Sequence, residues 1–182
     1  MSSTHGHLAP PIQDFSDCHV GIVTMLDDLT TLSQDQNAAA GRSAVAARTL
    51  AFFRDAVTVH HQEEESELFA AVMADAMAGD ERGQVEGLVS QLVNEHRRAE
   101  KLFSDLAPAL TALASGQAVT VDTATVNTLV TEYRAHARLE EVAFLPLAQA
   151  ILGRNSNHMA ALGLSLHIRH TSGEVRQRFG FI

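Results

Sequence analysis

The stretch Val59-His60-His61-Gln62-Glu63-Glu64-Glu65-Ser66-Glu67-Leu68-Phe69 decides the fold, because Tyr133-Arg134-Ala135-His136-Ala137-Arg138-Leu139-Glu140-Glu141-Val142-Ala143-Phe144 repeats its logic far downstream. In each, a His is followed four residues later by a Glu and, four after that, by an apolar residue: His60, Glu64, Leu68 and His136, Glu140, Phe144. On a helix, four residues advance about 40° around the axis and about 6 Å along it, so the members of each triplet share a face. Phe53 and Val57 precede His60 on that face, and Leu129 and Tyr133 precede His136. Imidazoles and carboxylates therefore fall inside apolar stripes. A buried carboxylate without compensation costs on the order of several kcal/mol or gives up its charge, and a bound cation is the usual compensation.

Two further histidines complete the pattern. A first amphipathic helix, predicted from about Ile12 to Ser33, carries Phe15, Ile22, Leu26 and Leu29 at steps of three and four, with His19 among them; Cys18 lies about 100° away and reads as a core or boundary residue. After the loop Gln34 to Arg42, Ser43 is the expected cap of a second helix that runs to about Met77 and holds the first motif. Gly79-Asp80-Glu81-Arg82-Gly83 reads as a break, and a third helix from about Gln84 to Ala114 puts His96 in line with Leu88, Leu92, Phe103 and Leu110, with Pro108 expected to kink it or end it early. Asp122 is the expected cap of the fourth helix, which holds the second motif and meets Pro146. Met1 to Pro11 reads as a disordered leader in which His5 and His7 are surface residues. Residues 156–179 are expected to form a fifth helix with His158, His167 and His170, suited to a homodimer contact or a protein partner.

The candidates repeat. His19 to His96 spans 77 residues, and His60 to His136 and Glu64 to Glu140 both span 76. Two helix hairpins, each delivering His and then His with Glu, pack as an all-α, up-down-up-down four-helix bundle over residues 12–152 with an additional C-terminal helix. Two matched ligand sets ask for two ions held by His19, His60, Glu64, His96, His136 and Glu140, with both carboxylates bridging. Imidazole and carboxylate together suit first-row ions such as iron, manganese and zinc, and the absence of Cys from the cluster weakens the case for a structural zinc site. Iron with open positions between bridging carboxylates binds dioxygen, peroxide or nitric oxide and can be bridged by oxide or hydroxide. The pair His61 and Glu65 has the same spacing, turned by about 100°, and competes with His60 and Glu64 for the inward face.

Composition sets outer bounds. A chain of 182 residues with 46% hydrophobic and 19% charged residues can bury one full core, and the 5% aromatic content with no Trp favours helix over sheet. The net charge of −9 argues against nucleic acid or an anionic membrane as a partner. A single Cys allows no internal disulfide and fits a cytoplasmic protein; the first residues lack the basic and apolar regions of a signal peptide.

Together His19, His60 with Glu64 and Leu68-Phe69, His96, and His136 with Glu140 and Phe144-Leu145-Pro146 resemble the hemerythrin-like, or HHE cation-binding, domains over about Ile12 to Leu152. The resemblance implies a four-helix bundle around a non-haem di-iron centre. The oxygen-carrying members place two His on the third helix, whereas here the position four after His96 is Glu100. That departure is similar to members with four His and two Glu that are associated with iron-centre repair or with iron and oxygen sensing. It leaves Glu100, His5, His7 or a His of the last helix as candidates to complete the shell. The expected function is binding of dioxygen or a related small oxidant for sensing, storage or stress protection. The alternatives are turnover, such as peroxide decomposition or repair of iron-sulfur centres, and a structural or regulatory bundle with zinc or no metal.

Overall fold

A computed structural model describes residues 10–35, 41–155, 157 and 159–162. Among them only helices form: α1 (Pro10–Gln34), α2 (Arg42–Phe52), α3 (Thr58–Glu63), α4 (Phe69–Asp75), α5 (Asp80–Ala114), α6 (Thr123–Leu139) and α7 (Leu145–Leu152). Three wide π turns, Phe53–Val57, Glu64–Leu68 and Glu140–Phe144, splice these pieces together, so that α2, α3 and α4 make one rod and α6 and α7 another. The bundle thus has four rods, as the repeat predicts.

Two apolar clusters fix the direction of each rod. One holds Ile22 to Leu32 of α1, Phe52 to Val57, Leu106 to Leu113 of α5, and Val126 to Tyr133 of α6. The other holds Ile12 and Phe15 of α1, Leu68 to Val72, Val85 and Leu92 of α5, and Phe144 to Leu152. Chain order runs from the second cluster to the first in α1 and α5, and from the first to the second in the other two rods. This is the up-down-up-down arrangement. The rods neighbour each other cyclically, α1 on α2, α2 on α5, α5 on α6 and α6 on α1.

Several ends differ from expectation, each for a local reason. α1 starts at Pro10, inside the expected leader, since proline is tolerated in a first helical turn. Ser43 does not cap α2; the cap position is Gly41, and the Ser43 hydroxyl donates instead to the Ala114 carbonyl at 2.7 Å, tying two rods together. α5 begins at Asp80, so Asp80-Glu81-Arg82-Gly83 is helix and not a break: Gly79, at φ 99°, makes the turn, and acidic residues favour a helix N-terminus. α5 also runs through Pro108, which is exposed, as is Ser104, whose carbonyl the proline leaves to water. It ends in a Schellman turn at Gly116, with Gly116 N–H donating to Leu113 and Gln117 N–H to Ala112. Asp122 caps α6 as predicted, accepting from the Ala124 and Thr125 amides. Pro146 lies in the first turn of α7, where its missing N–H is harmless.

The leader up to Ala9 and most of the expected C-terminal helix lie outside the described residues. Leu162 is buried against the second cluster. No helix among the described residues is long and apolar enough to cross a membrane.

Leu29 is fully buried in the first cluster, away from the polar centre. Leu29→Ala is expected to cost about 2–5 kcal/mol, read from the urea midpoint at unchanged m-value, without altering metal content per folded chain.

Candidate metal centre

Between the two apolar clusters every rod carries a polar step. His19 falls between Phe15 and Ile22, His60 and Glu64 between Val57 and Leu68, His96 between Leu92 and Ala99, and His136 and Glu140 between Tyr133 and Phe144. All six side chains are buried, and Glu64, His96 and Glu140 have no exposed surface. Each His-to-Glu step ends in a π turn that starts at the Glu: the Phe69 amide bonds to the Glu64 carbonyl, and the Leu145 amide to the Glu140 carbonyl. These turns repeat at a spacing of 76 residues, as the side chains do, and such turns are frequent at functional sites.

The inward atoms fall into two sets. His19 Nε2 lies 2.9 Å from Glu140 Oε2 and 3.2 Å from His60 Nε2, which is itself 3.3 Å from Glu64 Oε1. On the other side His96 Nε2 is 3.2 Å from Glu64 Oε2, and His136 Nε2 is 3.6 Å from Glu140 Oε2. Glu64 therefore turns one oxygen to each set. Ligand atoms of His19, His60, Glu64 and Glu140, and likewise of Glu64, His96, His136 and Glu140, lie within 4.8 Å of one another. Each hairpin supplies one pair of imidazoles, as the repeat predicts.

A second layer of carboxylates orients the rings. His19 Nδ1 meets Glu141 at 2.9 Å, His96 Nδ1 meets Glu65 at 2.8 Å, and His136 Nδ1 meets Glu95 at 3.1 Å. Ser16 donates to Glu141, and Arg97 donates to both Glu65 and Glu100. A carboxylate on the outer nitrogen fixes the tautomer that leaves Nε2 facing inward, an arrangement typical of metal-bound imidazoles.

The electrostatics oppose an empty centre. Burial, reinforced by the Glu140 carboxylate, pushes the Glu64 carboxyl well above the usual range. Burial holds His60 well below its ordinary value, helped by the neighbouring imidazoles, and lowers His96 and His136 too. For His19 burial acts downward, but the carboxylates of Glu140 and Glu141, each 2.9 Å away, outweigh it and raise the ring to about 9. Both oxygens of Glu64 and of Glu140, and Nε2 of His96 and His136, are buried with no hydrogen-bond partner despite their close approach. Buried polar atoms are seldom left so. The imidazoles of His60, His96 and His136, lowered by burial, and the inward carboxylate oxygens facing them form a donor set that cations fit.

The six residues at matched spacing come together in one place, but their neighbours differ from expectation. His60 with Glu64 faces the centre, yet His61 is buried as well, at 1% exposure, and Glu65 serves His96 from outside. Glu100 is not in the inner set; it holds His61 Nδ1 at 3.2 Å. Cys18 is a buried core residue, as its position predicts. His5, His7, His158, His167 and His170 lie outside the described residues or have undescribed side chains. The outer carboxylates Glu65, Glu95 and Glu141 carried one missed signal: each neighbours an inner residue in sequence.

A bundle whose four rods each bring histidine to a shared pair of buried carboxylates is a cation-binding four-helix protein. The Hemerythrin HHE cation binding domain matches the chain over residues 11–148, and the chain belongs to that family. No curated protein and no solved structure matches it significantly.

His19, raised to about 9, holds a proton at neutral pH in the metal-free centre, and a cation must displace it. Binding is expected to release protons at pH 7 and to tighten as pH rises toward about 9, where His19 loses its proton unaided. Calorimetric titrations in two buffers of different ionisation enthalpy check this; identical heats would contradict it.

Proposed function

We propose that the chain is a non-haem di-iron protein that binds dioxygen, nitric oxide or peroxide for sensing, storage or stress protection in the cytoplasm. The observation that carries this reading is the pair of buried carboxylates, Glu64 and Glu140, each lying between an imidazole of one hairpin and an imidazole of the other. His19 and His60 would hold one ion, and His96 and His136 the second. A pair of irons held there would supply open positions for a small oxidant. The chain's part is to keep the ions together and the surroundings dry: Phe15, Phe69 and Phe144 on one side and Tyr133 on the other bound the polar layer. A cleft of about 240 Å³ bordered by α5 and α6 reaches His136 and Tyr133 and is wide enough to admit a diatomic molecule or peroxide. The ion pair of Arg98 with Glu132 borders it.

Metal content and absorption of protein purified without chelator test this. Two irons per chain with near-ultraviolet absorption of the diferric form are expected, and His60→Ala and Glu140→Ala are each expected to lose at least one iron. One ion, none, or zinc alone would contradict it. On mixing the diferrous protein with nitric oxide or peroxide, a stable adduct supports a binder; repeated product release would replace this reading with turnover.

A further inference from the structure

Two side-chain links bridge α5 and α6 at the cleft that reaches His136. Arg98 donates to Glu132 as a fork, from Nε to Oε2 at 3.0 Å and from Nη2 to Oε1, and about one helical turn away Glu95 meets Nδ1 of His136 at 3.1 Å. The two helices also line the cleft with Ala99 and Ala135, which leave open the space that longer side chains would fill. Its inner end is made by Tyr133 and His136, both buried. The His136 ring spans the remaining distance: its outer nitrogen meets a carboxylate of the cleft, and its inner nitrogen lies 3.6 Å from Glu140 Oε2.

The charged residues lining the cleft are two carboxylates, Glu95 and Glu132, and one guanidinium, Arg98, a formal excess of one negative charge. Arg98 is committed to Glu132 through both hydrogen bonds, so it is not offered to an incoming anion. The chain as a whole adds its net charge of −9. A cleft of one sign with low-dielectric walls concentrates its field, which repels anions and leaves uncharged molecules indifferent.

We infer that small uncharged molecules reach the centre through this cleft and that anions are turned away from it, with Glu132 setting the distinction by neutralising Arg98 and Ala135 keeping the passage open. What lies at its inner end rests on the di-iron reading above. The ligand class is thereby narrowed to species such as dioxygen, nitric oxide or hydrogen peroxide, as against azide, nitrite or superoxide.

Tyr133 is the chain's one tyrosine and there is no Trp, so the intrinsic fluorescence reports on the cleft itself. Its quenching by uncharged acrylamide and by iodide is measured on the full chain loaded with zinc, which neither absorbs nor quenches there. Glu132→Gln is expected to raise the iodide quenching constant about threefold or more at low salt, with no gain at about 1 M salt and no change for acrylamide. Ala135→Leu, at an exposed position of α6, is expected to lower the acrylamide constant several-fold. In the iron-loaded chain the same variant is expected to slow nitric oxide association by a similar factor while iron content is unchanged. Acrylamide or nitric oxide indifferent to Ala135→Leu, or iodide indifferent to Glu132→Gln, overturns this inference and leaves the di-iron reading standing. Quenching as expected in a chain that holds fewer than two irons retains the charge-selective cleft and removes the di-iron reading.

Discussion

A layer of imidazoles and carboxylates crosses the middle of this bundle, with apolar clusters above and below, and the inner carboxylates face only imidazoles and each other. Four oxygens on two glutamates face inward without a partner, and burial drives Glu64 toward its neutral form. Such a layer is destabilising on its own, since unpaired buried polar groups each cost on the order of 1–3 kcal/mol. Cations held there would change the sign: they would engage these oxygens and nitrogens together and link all four rods across the layer. The family's cation-binding character is in this sense a folding property as well as a functional one.

The layer is built from the inside outward. Glu64 and Glu140 reach both ligand sets; the imidazoles of His19, His60, His96 and His136 ring them; Glu65, Glu95 and Glu141 hold the outer nitrogens of three of these; Ser16 and Arg97 steady Glu141 and Glu65 in turn. Each shell is more exposed than the one within it. The π turns that open at Glu64 and Glu140 sit at the same point of the two motifs, at the junction where a rod passes from the polar layer into the second apolar cluster. The chain's excess of acid thus has a local use: several of its carboxylates serve as supports that aim the rings inward.

Much of this was legible in the sequence because a helix maps four-residue steps onto one face. His60, Glu64 and Leu68, and His136, Glu140 and Phe144, announced both the rods and the buried polar step, and the 76-residue spacing joined them to His19 and His96. What was not legible depends on neighbours. His61 stands next to His60, and no periodicity argument puts both indoors; only the wedge between α1 on one side and α5 with α6 on the other does so. The π turns leave no composition signal. Asp80 to Gly83 looked like a break because two glycines flank the acids, yet the acids favour a helix start and only Gly79 needs the special backbone. Ser43 looked like a cap, but its hydroxyl found the Ala114 carbonyl of another rod.

The claim that cations hold the polar layer together is tested most directly by comparing thermal unfolding of the iron-loaded chain with that of the same protein after chelation and removal of the chelator. Each site filled at a hundred times its dissociation constant adds about 2.7 kcal/mol. The metal-free chain is therefore expected to melt many degrees lower, and to recover when two equivalents of ferrous iron are returned. Coincident melting curves with and without metal would show that the layer is stable by other means and would contradict the account.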